Sequence, residues 1–201
     1  MGGFHPDQDP SVPEGTSTLF LLGPGEPGFW AHVTASAEFL DGDPDPIDRW
    51  SQRSIGDWAD ELGATALFPF GGPPFRPFIR WAEESGRSHA SPVGLLVHDT
   101  AGLMVSFRGA LALRERVDLP PNPPSPCASC GAKPCLTACP VGALGPNGYD
   151  VSGCHGFLET DASSSCMKAG CAVRRACPVS SHYGRVAEQS AYHMSLFHPT
   201  R

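Results

Sequence analysis

Apolar residues in the first 120 positions occur in short continuous runs and at helical spacing. Residues 17–22 and 64–70 are apolar runs that end in glycine or proline, which predicts two short buried strands. Between them, residues 46–62 predict a helix that begins at Pro46 and ends before Gly63. The predicted buried face of this helix consists of Trp50, Ile55, Trp58 and Leu62. This order of elements indicates a small α/β domain.

The rest of this half contains a second predicted helix and a hairpin. Residues 29–40 carry apolar side chains at helical spacing, and the runs 93–97 and 103–107 flank a short loop. Residues 1–15 are polar, rich in Gly and Pro and without periodicity, which predicts a flexible tail. We therefore expect an α/β domain over residues 16–120, whose ligand the sequence does not identify.

A proline-rich segment divides the chain into two parts. Residues 119–126 contain five prolines, and such a segment is stiff and extended. It separates a half without cysteine from a half that is rich in cysteine. A second domain is therefore expected over residues 121–201, with a terminal helix over residues 182–198.

Charge and hydropathy exclude some partners. The net charge of −7 argues against a phosphate-binding surface, so we expect no nucleic acid partner. No leader is evident at the N-terminus, and no run approaches the roughly 20 apolar residues that span a bilayer, which predicts a cytoplasmic protein without a membrane partner. Residues 127–201 hold six Lys and Arg against four Asp and Glu, whereas residues 1–126 hold eight Arg against 17 acids. The basic surplus coincides with the cysteines.

The cysteines form two runs in the second half. They are Cys127, Cys130, Cys135, Cys139, Cys154, Cys166, Cys171 and Cys177. The first run reads C-x2-C-x4-C-x3-C-P and the second reads C-x11-C-x4-C-x5-C-P. Disulfides would need an oxidising compartment, which the lack of an export signal does not favour. Two zinc sites are an alternative, but zinc sites usually pair C-x2-C knuckles, and only Cys127 with Cys130 forms one.

Iron–sulfur chemistry accounts for the pattern best. A cubane cluster needs four soft thiolates around a compact inorganic core, and short spacings let one loop supply three of them. In two-cluster ferredoxins the last cysteine of a run precedes proline and binds the other cluster. Cys139-Pro140 and Cys177-Pro178 have this form. The sequence therefore predicts two [4Fe-4S] clusters.

The first run resembles a known motif. Residues 127–144 read C-A-S-C-G-A-K-P-C-L-T-A-C-P-V-G-A-L. This segment is similar to the cluster motif of bacterial two-cluster ferredoxins, and in particular to that of epoxyqueuosine reductases, where A-C-P-T-G-A-[IL] is typical. The segment C-H-G-F-L-E from Cys154 resembles that family's cysteine followed by an aromatic residue, Leu and Glu. Residues 170–178 resemble its final cluster segment.

The resemblance implies a ligand set for each cluster. One cluster would be held by Cys127, Cys130, Cys135 and Cys177. The other would be held by Cys139, Cys154, Cys166 and Cys171. The implied fold class is α+β, with a small α/β N-terminal unit packed against a loop-rich, two-cluster ferredoxin-like C-terminal segment. Residues 131–134 widen the family's C-x2-C-x2-C spacing, and the family's tRNA-holding helical-repeat domain is not seen, so we expect no role in tRNA modification.

Two classes of function follow from this pattern. The expected one is a ferredoxin-like electron carrier, or an electron-input subunit, that serves a redox partner protein and needs no acid, base or nucleophile. The alternative is an enzyme in which the N-terminal domain binds cobalamin, another corrinoid or a flavin that the clusters reduce, as the resemblance implies. A zinc-stabilised interaction module is a third hypothesis. His155 and His193 are candidates to replace a thiolate, although packing is the simpler expectation for both.

Overall fold

The computed structural model describes residues 1–199. Helices account for 40% of the structure and strands for 14%. These contents confirm the α+β class. The strands are β1 (Gly2–Phe4), β2 (Thr18–Leu22), β3 (Thr65–Leu67), β4 (Ser88–Ala90), β5 (Leu96–His98), β6 (Gly109–Leu113), β7 (Leu144–Gly145) and β8 (Gly148–Tyr149). The α-helices are α1 (Phe29–Thr34), α2 (Ala37–Leu40), α3 (Pro46–Leu62), α4 (Phe78–Glu84), α5 (Pro126–Ser129), α6 (Val151–Leu158), α7 (Ser164–Ala169), α8 (Ala172–Ala176), α9 (Pro178–His182) and α10 (Ala187–Phe197). Short 3-10 helices cover Pro134–Leu136 and Asp161–Ser163.

The chain divides into two compact units. The sheet unit consists of residues 1–88 and 106–123. The cysteine unit consists of residues 89–105 and the chain from Pro124 onward. Residues 89–105, which the sequence analysis placed in the N-terminal domain, therefore belong with the cysteines. The proline-rich segment lies near the boundary at residue 123. The chain also leaves the sheet unit after residue 88 and returns to it at residue 106.

The sheet unit is built on four antiparallel strands in the order β1-β2-β6-β3. The antiparallel pairing differs from the α/β arrangement expected for this half. Strand β1 lies within the predicted flexible tail, and its residues pair with Leu19–Leu21 of β2. The tail is ordered because β2 offers a sheet edge with unpaired backbone groups, which a short segment can satisfy.

Helix α3 confirms its predicted ends and the burial of Ile55, whereas Trp50 is only half-buried. It begins at Pro46 and ends at Gly63, whose φ of 60° is left-handed. Its buried residues are Ile47, Ser51, Ile55 and Ala59. Trp58 and Leu62 are instead 51% and 60% exposed. The helix approaches β6 closely at Gly109, where a Cβ atom would lie 2.7 Å from Cδ1 of Ile55. Glycine at position 109 therefore leaves room for the Ile55 side chain.

Three further elements differ from the sequence predictions. The helix predicted over residues 29–40 is interrupted between α1 and α2, and the helix predicted over residues 182–198 begins only at Ala187, as α10. The hairpin of residues 93–107 is reduced to an isolated antiparallel bridge between His98 and Gly102. Instead β5 pairs with β4, and residues 103–107 contain no strand. The Leu103 N–H donates to the Ser180 hydroxyl at 2.8 Å, which fixes this segment to the start of α9.

The core of the cysteine unit contains both apolar side chains and thiols. Val93, Val97 and Leu103 pack together with Leu144 and Val173. Cys135 and Cys177 belong to the same buried cluster. Residues 89–105 thus supply three apolar side chains to this core, which explains why they group with it. None of the helices in residues 1–199 is both long enough and apolar enough to cross a membrane.

Candidate metal centre

Four thiols, here called the first thiol group, come from short helices that begin with proline. The group consists of Cys127, Cys130, Cys135 and Cys177. Cys127 lies in α5 and Cys130 follows it, Cys135 lies in the 3-10 helix Pro134–Leu136, and Cys177 immediately precedes α9. Pro126, Pro134 and Pro178 occupy the first positions of these helices. Proline is well suited to this position because its φ is already helical and it has no N–H to leave unpaired.

The four thiols of the first thiol group line one cavity. Its volume is about 370 Å³, and its walls also include Ser91, Val97, Leu103 and residues 131–134. A single water needs roughly 10–15 Å³ of such space, so the cavity accepts a much larger group. Cys135 and Cys177 are buried, whereas Cys127 and Cys130 are half-buried. The cavity therefore presents four sulfur donors on a largely apolar wall.

The thiols of this group lie close enough to influence one another's ionisation. Burial raises the pKa of Cys127, the thiolates of Cys135, Cys177 and Cys130 raise it further, and Lys133 opposes the shift. Burial also raises the pKa of Cys135, and Cys177 raises it further. Hydrogen bonds from backbone N–H groups partly offset this shift. Four thiolates in this space would repel one another unless a positive centre compensated them.

A second set of four thiols, the second thiol group, consists of Cys139, Cys154, Cys166 and Cys171. Cys154 lies in α6, Cys166 is buried in α7, and Cys171 immediately precedes α8. Burial raises the pKa of Cys154, and the thiolates of Cys171, Cys139 and Cys166 add to the shift. The start of α6 is fixed by Asp150, whose carboxylate accepts the Gly153 N–H at 2.8 Å. Cys154 therefore lies near the other three thiols of this group.

A tyrosine and an arginine accompany the second thiol group. The nearby hydroxyl of Tyr149 lowers the pKa of Cys154. Burial, followed by the effect of Cys154, raises the pKa of Tyr149, so its hydroxyl stays protonated. Arg174 donates to the Leu103 carbonyl at 2.6 Å. Burial lowers the pKa of Arg174, while Cys171 and Tyr149 raise it, so a cation lies near this group.

His155 is engaged with the end of the described chain. Its Nδ1 atom lies 2.6 Å from Nδ1 of His198, so one ring donates and the other accepts. Phe197 stacks on His155 with ring centroids 4.6 Å apart. This packing accounts for His155 without a metal. The proposed substitution of a thiolate by His155 or His193 stays a prediction.

The first set of four that the resemblance implies lines one cavity, and the other three thiols of the second set raise the pKa of Cys154. All eight cysteines are free thiols, so the disulfide alternative finds no counterpart here. Within residues 1–199, however, no group of three or more His, Cys, Asp and Glu side chains is arranged to hold a metal ion. The assignment of the eight cysteines as ligands therefore stays a prediction.

Part of the cavity wall comes from residues that are distant in sequence from the cysteines, and the sequence did not predict it. Ser91, Val97 and Leu103 line the first thiol group, although more than 20 residues separate them from Cys127. The apolar run that contains Val97 carried a signal for burial, but nothing identified its partner. Ser91 and Tyr149 carried no signal, because single hydroxyl groups have no characteristic spacing.

The fold and the site define a class of protein only: a mixed α+β protein of two units, one of which holds two groups of four thiols. No protein-family model, curated protein or solved structure matches the chain. The case for a function therefore depends on the chemistry of the site.

Proposed function

We propose that the chain is an iron–sulfur electron-transfer protein that holds one [4Fe-4S] cluster in each thiol group and acts as a ferredoxin-like carrier or electron-input subunit. The observation that best supports this proposal is the grouping of the thiols. Each group combines three cysteines from one run with one from the other, Cys177 in the first group and Cys139 in the second. This crossed pattern is characteristic of two-cluster ferredoxins.

The donor set suits a cluster better than a single ion. In a zinc site all four sulfurs lie about 2.3 Å from one ion and hence close to each other. In a cubane each thiolate binds a separate iron, so the sulfurs are spread around a larger core. The cavity of about 370 Å³ favours the larger core.

The surrounding residues would bind the cluster and adjust its charge. When bound, each cluster supplies transfer of one electron at a time. Val97 and Leu103 contribute apolar side chains to the wall of the first thiol group, and Cys135 and Cys177 contribute buried sulfur. Lys133 and Arg174 offer positive charge to the first and second groups, which would offset the anionic thiolates.

The partner that this chemistry implies is a redox protein. The net charge of −7 argues against nucleic acid, since binding to phosphates depends on a positive surface. The eight free thiols suit a reducing compartment such as the cytoplasm.

Metal analysis of anaerobically purified protein tests the proposal. We expect about eight iron and eight sulfide per chain, because each cubane contains four of each. Cys135→Ser and Cys166→Ser each remove a buried thiol, one from each group, and each should lose about half of the iron. Leu136→Ser and Met167→Ser alter the neighbouring position in the same helical turn and should retain the full content.

Other outcomes would contradict the proposal. Two zinc ions and no iron per chain would support the zinc-stabilised module instead. An iron content that stays unchanged in Cys135→Ser and Cys166→Ser would contradict the assignment of Cys135 and Cys166 as ligands. Corrinoid or flavin bands in the visible spectrum, beside the broad iron–sulfur absorption, would favour the reductase alternative.

A further inference from the structure

The cysteine unit contains a guanidinium group that has no acidic partner. Arg174 is the third residue of α8, and its Nη1 atom donates a hydrogen bond to the Leu103 carbonyl at 2.6 Å. The residue as a whole is half-buried, and burial lowers the pKa of its guanidinium group. In the part of the chain that the structure describes, no carboxylate forms an ion pair with Arg174. A buried cation without a compensating charge is unfavourable, so we expect an anion close to it.

The position of Arg174 in α8 indicates that this anion belongs to the second thiol group. Cys171 immediately precedes the helix and Cys177 immediately follows it. Side chains of an α-helix lean towards its N-terminus, which here is the end next to Cys171. The Cys171 thiolate also raises the pKa of Arg174. Tyr149 raises it as well, but its hydroxyl stays protonated because burial raises the pKa of Tyr149 itself.

The cation beside the first thiol group is placed differently. Among the described residues that line the cavity of this group, Lys133 is the one basic side chain, and it is exposed. Water and salt screen the field of an exposed charge, whereas a buried charge is screened much less. The two cations should therefore act unequally on the two centres.

We propose that Arg174 stabilises the reduced state of the iron–sulfur centre in the second thiol group and raises its reduction potential, more strongly than Lys133 raises that of the first. This inference rests on the proposed function. On reduction the centre accepts one electron from the redox partner protein, so its negative charge increases by one and its attraction to the guanidinium group grows. Arg174 acts through its charge alone and binds no iron.

Redox titration of anaerobically purified protein, monitored by EPR, tests this role. The midpoint potential that disappears in Cys166→Ser identifies the second centre. Arg174→Gln removes the charge and should shift this potential to a more negative value, while the other potential stays close to wild type. Arg174→Lys keeps the charge and should shift it less.

Two further variants compare the buried charge with exposed ones. Lys168→Gln is a matched control, because Lys168 is exposed and lies in α7 two residues after Cys166. Lys168→Gln and Lys133→Gln should shift either potential less than Arg174→Gln shifts that of the second centre. Their effects should shrink in about 1 M NaCl, where the Debye length is about 3 Å, and the effect of Arg174→Gln should persist.

The outcomes distinguish this inference from the proposed function. Wild-type potentials in fully loaded Arg174→Gln would overturn the role of Arg174 alone. If Arg174→Gln loses half of the iron, retention in Arg174→Lys supports the need for a positive charge, whereas the same loss in Arg174→Lys overturns it. Wild-type protein that binds no iron or sulfide would overturn the proposed function together with this inference.

Discussion

Asp9 demonstrates how a residue in a segment without sequence signal becomes part of a packed unit. Its carboxylate accepts the Trp81 Nε1–H at 2.8 Å and the Ser11 N–H at 2.8 Å, and it pairs with Arg80 at 2.9 Å. Burial raises the pKa of Asp9, but the hydrogen bonds from Ser11, Trp81 and Arg80 outweigh it and hold the pKa below its usual range. The segment is ordered because these contacts compensate the loss of chain entropy.

Asp9→Asn is expected to lower the free energy of unfolding at pH 7 by about 1–3 kcal/mol, because it weakens a buried charged acceptor. The folded pKa is depressed, so the contribution of Asp9 is present above the unfolded pKa and is lost as the pH falls through the folded value. The difference from wild type should therefore shrink below about pH 4.

Urea unfolding followed by tryptophan fluorescence at pH 7 and at pH 3 measures this difference. Asp7→Asn is the control, because the Asp7 side chain is 86% exposed and lies 3.9 Å from Arg116. Equal losses in both variants, or a loss that does not depend on pH, would contradict the role of Asp9.

Among the secondary-structure elements, helix α3 contains two glycines at which the effect of the backbone on stability can be measured without a change in packing. Its last residue is followed by Gly63 in a left-handed conformation, and Gly56 lies in the helix interior. A Cβ atom at either glycine would meet nothing within 4 Å. Any effect of adding a methyl group at these two positions must therefore come from the backbone.

Opposite effects are expected from the two alanine substitutions in α3. Gly63→Ala should destabilise the protein by about 1–2 kcal/mol, because a left-handed φ is unfavourable for alanine. Gly56→Ala should stabilise it by about 0.5–1 kcal/mol, because alanine loses less conformational freedom in a helix than glycine. Thermal unfolding compared with wild type checks both, and stabilisation by Gly63→Ala would contradict the observed end of the helix.

At the scale of the whole molecule, the division into units does not follow the order of the chain. Residues 89–105 supply Val93, Val97 and Leu103 to the core around Cys135 and Cys177. The following segment, residues 106–123, returns to the sheet unit as β6, which pairs with β2 and β3. If metal binding stabilises the cysteine unit, it should also stabilise residues 89–105, although they are close in sequence to β6.

Hydrogen exchange measured by mass spectrometry should reveal this division. Removal of the metal by a chelator is expected to increase exchange in peptides from residues 89–105 and 124–199 together. Peptides from residues 106–123 and from β2 should change less, because their hydrogen bonds lie in the four-stranded sheet. Continued protection of residues 89–105, with loss confined to residues 124–199, would contradict the assignment of that segment to the cysteine unit.

Features that depend on a few consecutive residues could be predicted from the sequence. The apolar run at β2, the proline and glycine that bound α3, and the two cysteine runs were recognisable because backbone preference and ligand chemistry are local properties. The spacing of the cysteines, with the resemblance, also indicated which thiols would be neighbours. Whether they bind iron is a prediction that metal analysis must test.

Contacts between distant segments are visible in the folded chain alone. The tertiary structure buried Ile47, Ser51, Ile55 and Ala59 of α3 and left Trp58 exposed, with β6 closely approaching Ile55 at Gly109. It paired β1 with β2, moved residues 89–105 to the cysteine unit and placed Ser91 beside the first thiol group. These results depend on contacts between residues far apart in the chain, whose free energy appears only when both partners are present, and no local pattern records it.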